Sequence, residues 1–203
     1  MRTHFLVIVF LIRYEYLALL DIDEVIVPIK HNSWAEMMEE VLKASQNGEV
    51  RASWNFRNVY FMDEMTDLHE QHQHFADIPS FLHMLQHVYR SGNYTKKGQY
   101  VKSFHNPEKV WTVHNHYPLA CIGGGCGKSK SFNVETDLGH LQHYRSDCVS
   151  ALKKSCEEDF KSVSVFDSTI WRWKEPVIEK TTGALLKLGF LVRQNNTVPN
   201  LVT

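Results

Sequence analysis

The first part of the chain carries three short apolar runs, at residues 5–12, 16–20 and 25–27. Consecutive apolar positions are typical of a strand that is buried on both faces, so each run predicts buried strand. The first run spans about eight residues, whereas a membrane-spanning helix needs about 20. A signal-peptide core can have this length. Because no small-residue cleavage site follows, buried strand is the better interpretation.

Periodicity and turn signals predict the remaining elements. Apolar residues at helical spacing predict a helix over residues 34–44, and Asn32 or Ser33 can cap its first turn. The elements predicted after it are, in order, a strand over 50–61, an acidic and His-rich surface excursion at 62–77, a helix over 80–89, strands over 100–104 and 110–113, a glycine loop at 123–127, a strand-like segment at 138–144, and a mainly helical tail from 146 with a helix near 180–188.

Composition narrows the class of protein. A chain of 203 residues is long enough for one domain with a sizeable core, and its 43% of hydrophobic residues indicates that it folds. The formal net charge is -1. A dedicated nucleic-acid-binding protein needs a surplus of Lys and Arg to neutralise phosphates, so this class is disfavoured.

Cysteines and glycosylation motifs bear on the cellular compartment. The four cysteines allow three complete disulfide pairings, and the sequence does not select one of them. N-glycosylation motifs begin at Asn93 and at Asn195. Together these features favour the secretory pathway.

Asp21 and Asp23 lie between two of the apolar runs. Burying an ionised carboxylate costs several kcal/mol unless a partner compensates its charge. Side chains alternate along a strand, so Asp21 and Asp23 are predicted to point the same way. Two such carboxylates can share a hard cation such as Mn²⁺ or Mg²⁺. The alternative is a solvated acidic turn, which needs no metal.

A second candidate group consists of His143 and Arg145, which flank Tyr144. Imidazole can bind Mn²⁺, and arginine can hold phosphate oxygens through two N–H groups. On its own, the tripeptide fits a packed and hydrogen-bonded histidine equally well.

Taken in order, several segments of the chain resemble glycosyltransferase family 92. The matching segments are residues 14–28, Trp54-Asn55-Phe56, Lys102-Ser103-Phe104, His114-Asn115-His116-Tyr117-Pro118 and His143-Tyr144-Arg145. They span roughly residues 14–175, and the ordered set is more specific than any one segment. The resemblance implies an α/β fold of the nucleotide-sugar transferase (GT-A-like) type, a mixed sheet flanked by helices, of which this chain would be the C-terminal part.

The resemblance also implies an activity and a cofactor. The reaction would transfer a sugar, galactose in particular, from a UDP-sugar donor to a glycan acceptor. Asp21, Asp23 and His143 would hold Mn²⁺ against the UDP diphosphate, with Mg²⁺ as the alternative ion. Family members are typically Golgi proteins anchored by an N-terminal membrane helix.

Further roles follow from the same resemblance. Lys102, His116 and Arg145 would lie near the donor phosphates or the sugar. A carboxylate should act as general base on the acceptor hydroxyl. Glu64 is the candidate, because it follows a predicted strand.

The chain departs from the family pattern at its start. In this fold the βαβ units before the Asp-x-Asp segment bind uracil and ribose, and such a unit needs roughly 30 residues or more. Only about twenty residues precede Asp21. We therefore expect a single domain over residues 1–203 that lacks most of the nucleotide-binding half. An inactive glycan-binding or partner-binding remnant is the main alternative to an active transferase.

Two other patterns indicate different enzyme classes. Residues 20–25 resemble the nucleophile strand of haloacid-dehalogenase-type phosphohydrolases, but Glu24 stands where that family usually has glycine. Residues 123–129 resemble a P-loop, but Ile122 occupies the position of its first glycine. A loop closed by a Cys121–Cys126 disulfide is the better interpretation.

A zinc site is a further alternative. The candidate ligands are His69, His72 and His74, or His83 and His87 at helical i, i+4 spacing. Structural zinc normally has four ligands and commonly includes cysteine. Since no cysteine is near these histidines in sequence, a solvated His-rich segment is favoured.

Overall fold

The computed structural model describes residues 14–46, 50–67, 75–124, 126, 130–150 and 153–191. The chain forms two compact units, Met1–Tyr60 with Asn93–His143, and Phe61–Gly92 with Tyr144–Thr203. Some predicted features lie outside the described residues: the apolar run 5–12, the histidines His69, His72 and His74, residues 125 and 127–129 of the segment compared with a P-loop, and the motif at Asn195.

The strands and helices are defined here in chain order. The strands are β1 (Leu17–Ala18), β2 (Glu24–Pro28), β3 (Ser53–Phe56), β4 (Asn58–Met62), β5 (Tyr89–Ser91), β6 (Lys102–His105), β7 (Val110–Val113), β8 (Pro118–Cys121), β9 (Ser131–Asn133), β10 (Gly139–Arg145) and β11 (Ser164–Phe166). The α-helices are α1 (Trp34–Ser45), α2 (Asp63–Asp67), α3 (His83–Gln86), α4 (Lys153–Cys156) and α5 (Lys174–Lys187), with a π-helical turn at Glu157–Lys161 and a 3₁₀-helix at Thr169–Trp173.

The first unit contains a four-stranded sheet with the order β1-β6-β3-β9. Strand β6 is antiparallel to β1 and β3, whereas β3 and β9 are parallel. Strand β2 belongs to a different sheet, of order β2-β10-β4, in which it pairs antiparallel with β10. The chain therefore changes sheets between β1 and β2, and this junction contains the acidic residues.

Helix α1 supplies one side of the core of the first unit. Its buried residues Met37, Met38 and Val41 pack with side chains from both sheets, namely Ile26, Trp54, Phe56, Phe104 and Leu141. Ser33 caps the helix, because its Oγ accepts a hydrogen bond of 3.2 Å from the Glu36 N–H. The helix predicted from apolar spacing is thus confirmed.

The second unit combines a two-stranded sheet with short helices. Strands β5 and β11 pair antiparallel, and Tyr144 stacks on Phe61 with ring centroids 4.8 Å apart. The Trp171 indole N–H donates to the Leu85 carbonyl at 2.8 Å. Helix α5 has no buried residue. The buried residues of this unit therefore come from its strands and shorter helices, for example Phe61, Met65, Leu85 and Tyr144, and not from α5.

The structure selects one of the three possible disulfide pairings, Cys121–Cys126 with Cys148–Cys156. The predicted Cys121–Cys126 loop is confirmed. Within it, Gly123 and Gly124 have φ values of 77° and 130°. Such positive φ values are accessible to glycine at little cost, which explains why this short loop is glycine-rich.

Several predicted elements are wrong in extent. The strand predicted over residues 50–61 is two strands, β3 and β4, separated by Arg57, whose side chain donates to the Thr95 carbonyl at 2.7 Å. Both strands are buried at every position rather than alternating. The predicted surface excursion contains α2, in which Met65 is fully buried.

The helix predicted over residues 80–89 is wrong in length, because the structure has the shorter α3 there. Local spacing favours a longer helix, but the Val88 carbonyl accepts a hydrogen bond from the Asp167 N–H at 2.7 Å, and Tyr89 begins a strand paired with β11. Pairing with a distant segment overrides helix propensity here. The predicted helical tail also contains strand β11.

The predicted α/β class, with mixed sheets and helices, is confirmed. Within the described part of the chain, no helix is both long and apolar enough to cross a membrane.

Replacing Gly139 by alanine should destabilise the first unit. The added Cβ would lie 2.5 Å from Met37 Sδ and 3.1 Å from Phe56 Cε1, both in the fully buried core. We expect a loss of about 1–3 kcal/mol in the free energy of unfolding, measured by urea denaturation. Gly183→Ala is the matched control, because nothing lies within 4 Å of its added Cβ and α5 should gain up to about 1 kcal/mol. Equal effects of the two substitutions would contradict the packing described for β10.

Candidate functional site

The acidic segment forms a tight turn between β1 and β2. The Glu24 N–H donates to the Asp21 carbonyl at 3.1 Å, and the Asp21 N–H donates to Glu24 Oε2 at 3.0 Å. Ile22, at the tip of the turn, is fully exposed. The prediction that Asp21 and Asp23 lie within a strand is therefore wrong. The reason is that the flanking apolar runs belong to different sheets, so the chain must turn between them.

The ammonium group of Lys102 lies at the centre of this turn. Its side chain is 0% exposed, and its Nζ contacts Asp21 Oδ2 at 2.8 Å, Glu24 Oε2 at 2.9 Å and Asn115 Oδ1 at 2.7 Å. An ammonium group has three N–H donors, so these three acceptors satisfy it. The burial of Lys102 shows that it is not a solvated strand residue, and its proximity to donor phosphates stays a prediction.

Asp21 and Glu24 differ in their access to solvent. The Asp21 carboxylate is 55% exposed, whereas that of Glu24 is 3% exposed. The pKa of Asp21 is held below its ordinary value of 3.8, chiefly by the hydrogen bond from Lys102, with a further contribution from the Asn115 amide. Asp21 is therefore ionised at neutral pH, and one of its carboxylate oxygens is already engaged.

His143 lies between the carboxylates of Asp23 and Glu24. Its Nε2 is 3.4 Å from Asp23 Oδ2, and its Nδ1 is 3.4 Å from Glu24 Oε1. Register explains the second contact, because His143 on β10 is directly opposite Glu24 on β2. With Nδ1 facing a carboxylate, Nε2 is directed toward Asp23. A carboxylate in this position supports a metal-binding histidine when Nδ1 carries the proton. Asn58 Nδ2 lies 3.3 Å from the same Nδ1 and donates to it in the other tautomer.

The loop between β7 and β8 provides Asn115. Besides accepting from Lys102, Asn115 donates from Nδ2 to Asp21 Oδ2 at 3.3 Å. The neighbouring His116 fixes the loop to the sheet, since its Nδ1 lies 2.9 Å from the Val101 carbonyl. The buried Ser103 hydroxyl lies 3.2 Å from the His116 carbonyl. His116 thus holds Asn115 in place next to Lys102.

The cluster carries an excess of negative charge. Three carboxylates, from Asp21, Asp23 and Glu24, stand against one ammonium group, from Lys102, which leaves two net negative charges when His143 is neutral. Asp23 is 46% exposed, so the uncompensated charge faces solvent. A divalent cation would neutralise this charge.

The donor atoms of Asp23 and His143 fit such a cation. A carboxylate oxygen and an imidazole nitrogen 3.4 Å apart can both bind one ion at bond lengths of about 2.1 Å, and both suit Mn²⁺. The third predicted ligand, Asp21, does not form a group with Asp23 and His143 whose ligand atoms all lie within 4.8 Å of one another, and its Oδ2 accepts from Lys102 and Asn115. The structure thus brings together two of the three predicted metal ligands.

The other predicted site residues lie in the second unit. Glu64 is an exposed residue of α2 whose Oε2 pairs with Lys161 Nζ at 2.6 Å. Arg145 is the last residue of β10 and is half-buried. Their roles as general base and as donor-binding residue stay predictions.

Sequence reasoning missed Glu24, Asn115 and Asn58 as members of the site. The Asn58 amide lies 3.3 Å from His143 Nδ1. The sequence did contain a signal for Glu24. This residue begins an apolar strand, so its carboxylate charge must be compensated by a partner when it is buried. For Asn115 and Asn58, the contacts depend on loop closure and strand pairing, which leave no periodic pattern in the sequence.

The ordered motifs and this cluster occur within one recognisable family domain. The sequence model of glycosyltransferase family 92 matches residues 9–181. The chain belongs to glycosyltransferase family 92. Curated proteins and solved structures gave no match to the chain. Membership of family 92 supports a transferase that acts on a sugar donor and a glycan acceptor, and every residue of the cluster lies within the matched segment.

Replacing Lys102 by methionine should strongly destabilise this family 92 domain. The substitution keeps an unbranched side chain, one atom shorter than lysine, but leaves the buried Glu24 carboxylate without its cation. Removing one partner of a buried ion pair costs about 3–5 kcal/mol, which urea denaturation at neutral pH would measure.

The double variant Lys102→Met/Glu24→Gln is the matched control, because it also removes the Glu24 charge that Lys102→Met leaves unpaired. We expect it to recover part of the lost stability. A Lys102→Met protein as stable as the wild type, or a double variant less stable than Lys102→Met alone, would contradict the assignment of Lys102 as the buried counter-ion.

Proposed function

We propose that this chain transfers a hexose, galactose in particular, from a UDP-sugar to a glycan acceptor, with Mn²⁺ as cofactor and Mg²⁺ as the alternative ion. Family membership supports glycosyl transfer in general. The observation that carries the metal-dependent part of the proposal is the pair Asp23 and His143, whose donor atoms lie 3.4 Å apart in a cluster with two net negative charges.

In this proposal Asp23 and His143 hold the metal ion, and Asp21, whose Oδ2 accepts from Lys102 and Asn115, contributes negative charge beside them. When bound, the ion would act as a Lewis acid that neutralises charge on the departing UDP. Glu24 orients the His143 imidazole by facing its Nδ1. Lys102 has no exposed surface, so we assign it a positioning role instead of direct contact with phosphate.

Charge balance supports a cation-dependent donor site. A UDP diphosphate is anionic, and the cluster, which carries two net negative charges when His143 is neutral, would repel it. A bound dication cancels the charge of the cluster, and its remaining coordination positions can accept phosphate oxygens. Binding of the donor should therefore require the metal ion.

We further propose that the protein acts in the secretory pathway, in the Golgi in particular. Both described disulfides support this assignment, because disulfides form and persist in oxidising compartments and are rare in the cytosol. The family resemblance provides the specific compartment.

A transferase assay tests the proposal. The purified, disulfide-bonded chain would be incubated with UDP-galactose and other UDP-hexoses, a panel of glycan acceptors, and either Mn²⁺ or a chelator. We expect acceptor-dependent release of UDP that requires the metal. Asp23→Asn and His143→Gln should each lower the rate by at least about 10- to 100-fold, as expected when a metal coordination shell is altered.

Asp137→Asn is the matched control for these variants. Asp137 is a surface carboxylate of the same unit, paired with Lys30 and 65% exposed, so its replacement should leave the rate unchanged. Equal rates with metal and with chelator would overturn the role of the ion. Folded wild-type protein that releases no UDP with any donor would overturn the proposed transferase activity.

A further inference from the structure

A separate group of metal-ligand side chains lies in the second unit. Among the residues that the structure describes, Asp63, His83 and His87 are the group of three whose ligand atoms all lie within 4.8 Å of one another. Asp63 is the first residue of α2, His83 is the first residue of α3, and His87 follows the last residue of α3. The proposed transfer reaction uses none of these residues.

Both imidazole rings face the same carboxylate oxygen. His83 Nε2 lies 3.2 Å and His87 Nε2 lies 3.3 Å from Asp63 Oδ1. The two rings stack with centroids 3.7 Å apart, as the i, i+4 spacing on one helical turn permits. Two nitrogen donors and one oxygen donor therefore converge on one point.

The second nitrogen of His87 identifies the atom that can bind metal. Its Nδ1 lies 2.9 Å from the His83 carbonyl oxygen. A carbonyl oxygen only accepts hydrogen bonds, so Nδ1 carries the proton and Nε2 presents its lone pair when the ring is neutral. Metal-bound histidines commonly donate from their other nitrogen to a backbone carbonyl in this way.

A metal ion and a proton are the two alternative ways to hold His87 Nε2 beside the Asp63 carboxylate. Without an ion, each imidazole can approach the Asp63 carboxylate favourably only by donating an Nε2 proton. For His87, whose Nδ1 already donates, this requires a positively charged ring stacked 3.7 Å from His83. A cation between the three ligand atoms lets both rings remain neutral.

The group of Asp63, His83 and His87 is packed against a buried aromatic ring on one side and exposed to solvent on the other. Tyr144 is buried and packs edge-on to His83, with ring centroids 6.2 Å apart, and it also stacks on Phe61. The side chains of His83 and Asp63 are 51% and 42% exposed. An ion from solvent can therefore reach a site in which His83 packs against the buried Tyr144 ring.

We propose that Asp63, His83 and His87 bind a divalent transition-metal ion of the Zn²⁺ class. Two imidazole nitrogens with one carboxylate favour Zn²⁺ over the hard ions Mg²⁺ and Ca²⁺. Three protein ligands leave a fourth position for water or an outside ligand. This site is independent of the Mn²⁺ site proposed at Asp23 and His143.

Titration of the chelator-treated, disulfide-bonded chain with Zn²⁺ tests this proposal, with Co²⁺ as a spectroscopic probe. We expect saturable Zn²⁺ binding by calorimetry and visible absorption of bound Co²⁺. His83→Ala/His87→Ala should raise the Zn²⁺ dissociation constant by at least about 10- to 100-fold and abolish the Co²⁺ spectrum. Asp63→Asn, which preserves the shape of the carboxylate, should weaken binding in the same direction and carries the test if the double variant does not fold.

His114→Ala and Asp23→Asn are the matched controls. His114 is an exposed histidine of the first unit, and Asp23 belongs to the proposed Mn²⁺ site, so neither change should alter Zn²⁺ affinity at the site in the second unit. Zn²⁺ affinity that is unchanged in the folded Asp63→Asn and double-histidine variants would overturn the proposal. The same holds if folded wild-type protein binds no Zn²⁺.

Discussion

The buried ammonium group of Lys102 is the constraint on which the candidate site depends. Taking such a cation out of water costs several kcal/mol unless partners satisfy it, and its three N–H groups find Asp21, Glu24 and Asn115. These partners come from the β1–β2 turn and from the loop between β7 and β8, while Lys102 belongs to β6. One charge thus joins two loops to a central strand and fixes the backbone that carries Asp23.

The side chains of Glu24, Asp23 and His143, which belong to the same cluster as Lys102, give the site its chemistry. Glu24 contacts Lys102 with one oxygen and His143 with the other, so it supports both the internal cation and the imidazole. Asp23 and His143 then face each other at the solvent-exposed edge, with two net negative charges in the cluster. Family 92 membership supports glycosyl transfer in general, and the electrostatic arrangement is the geometric basis of our proposal that the donor site uses a metal ion.

The sequence predicted the parts of the fold that depend on local pattern. Helix α1, with its cap at Asn32 or Ser33, and the glycine-rich disulfide loop could be predicted from spacing and residue type, and the structure confirms both. Prediction from the sequence failed where pairing between segments distant in the chain determines the structure. Apolar runs on both sides of Asp21 look like one strand, but they pair with different partners, β6 and β10. Likewise, α3 stops early because Tyr89 pairs with Phe166 on β11, and no local signal encodes that pairing.

The most direct test of the account is calorimetric titration of UDP into the folded chain, with and without Mn²⁺, beside an Asp23→Asn/His143→Gln variant. The account predicts that UDP binds only when Mn²⁺ is present and that the variant loses this binding while keeping its fold. UDP binding of equal affinity without Mn²⁺ would contradict a metal-dependent donor site at Asp23 and His143. Folded wild-type protein that binds no UDP under either condition would contradict the donor site itself.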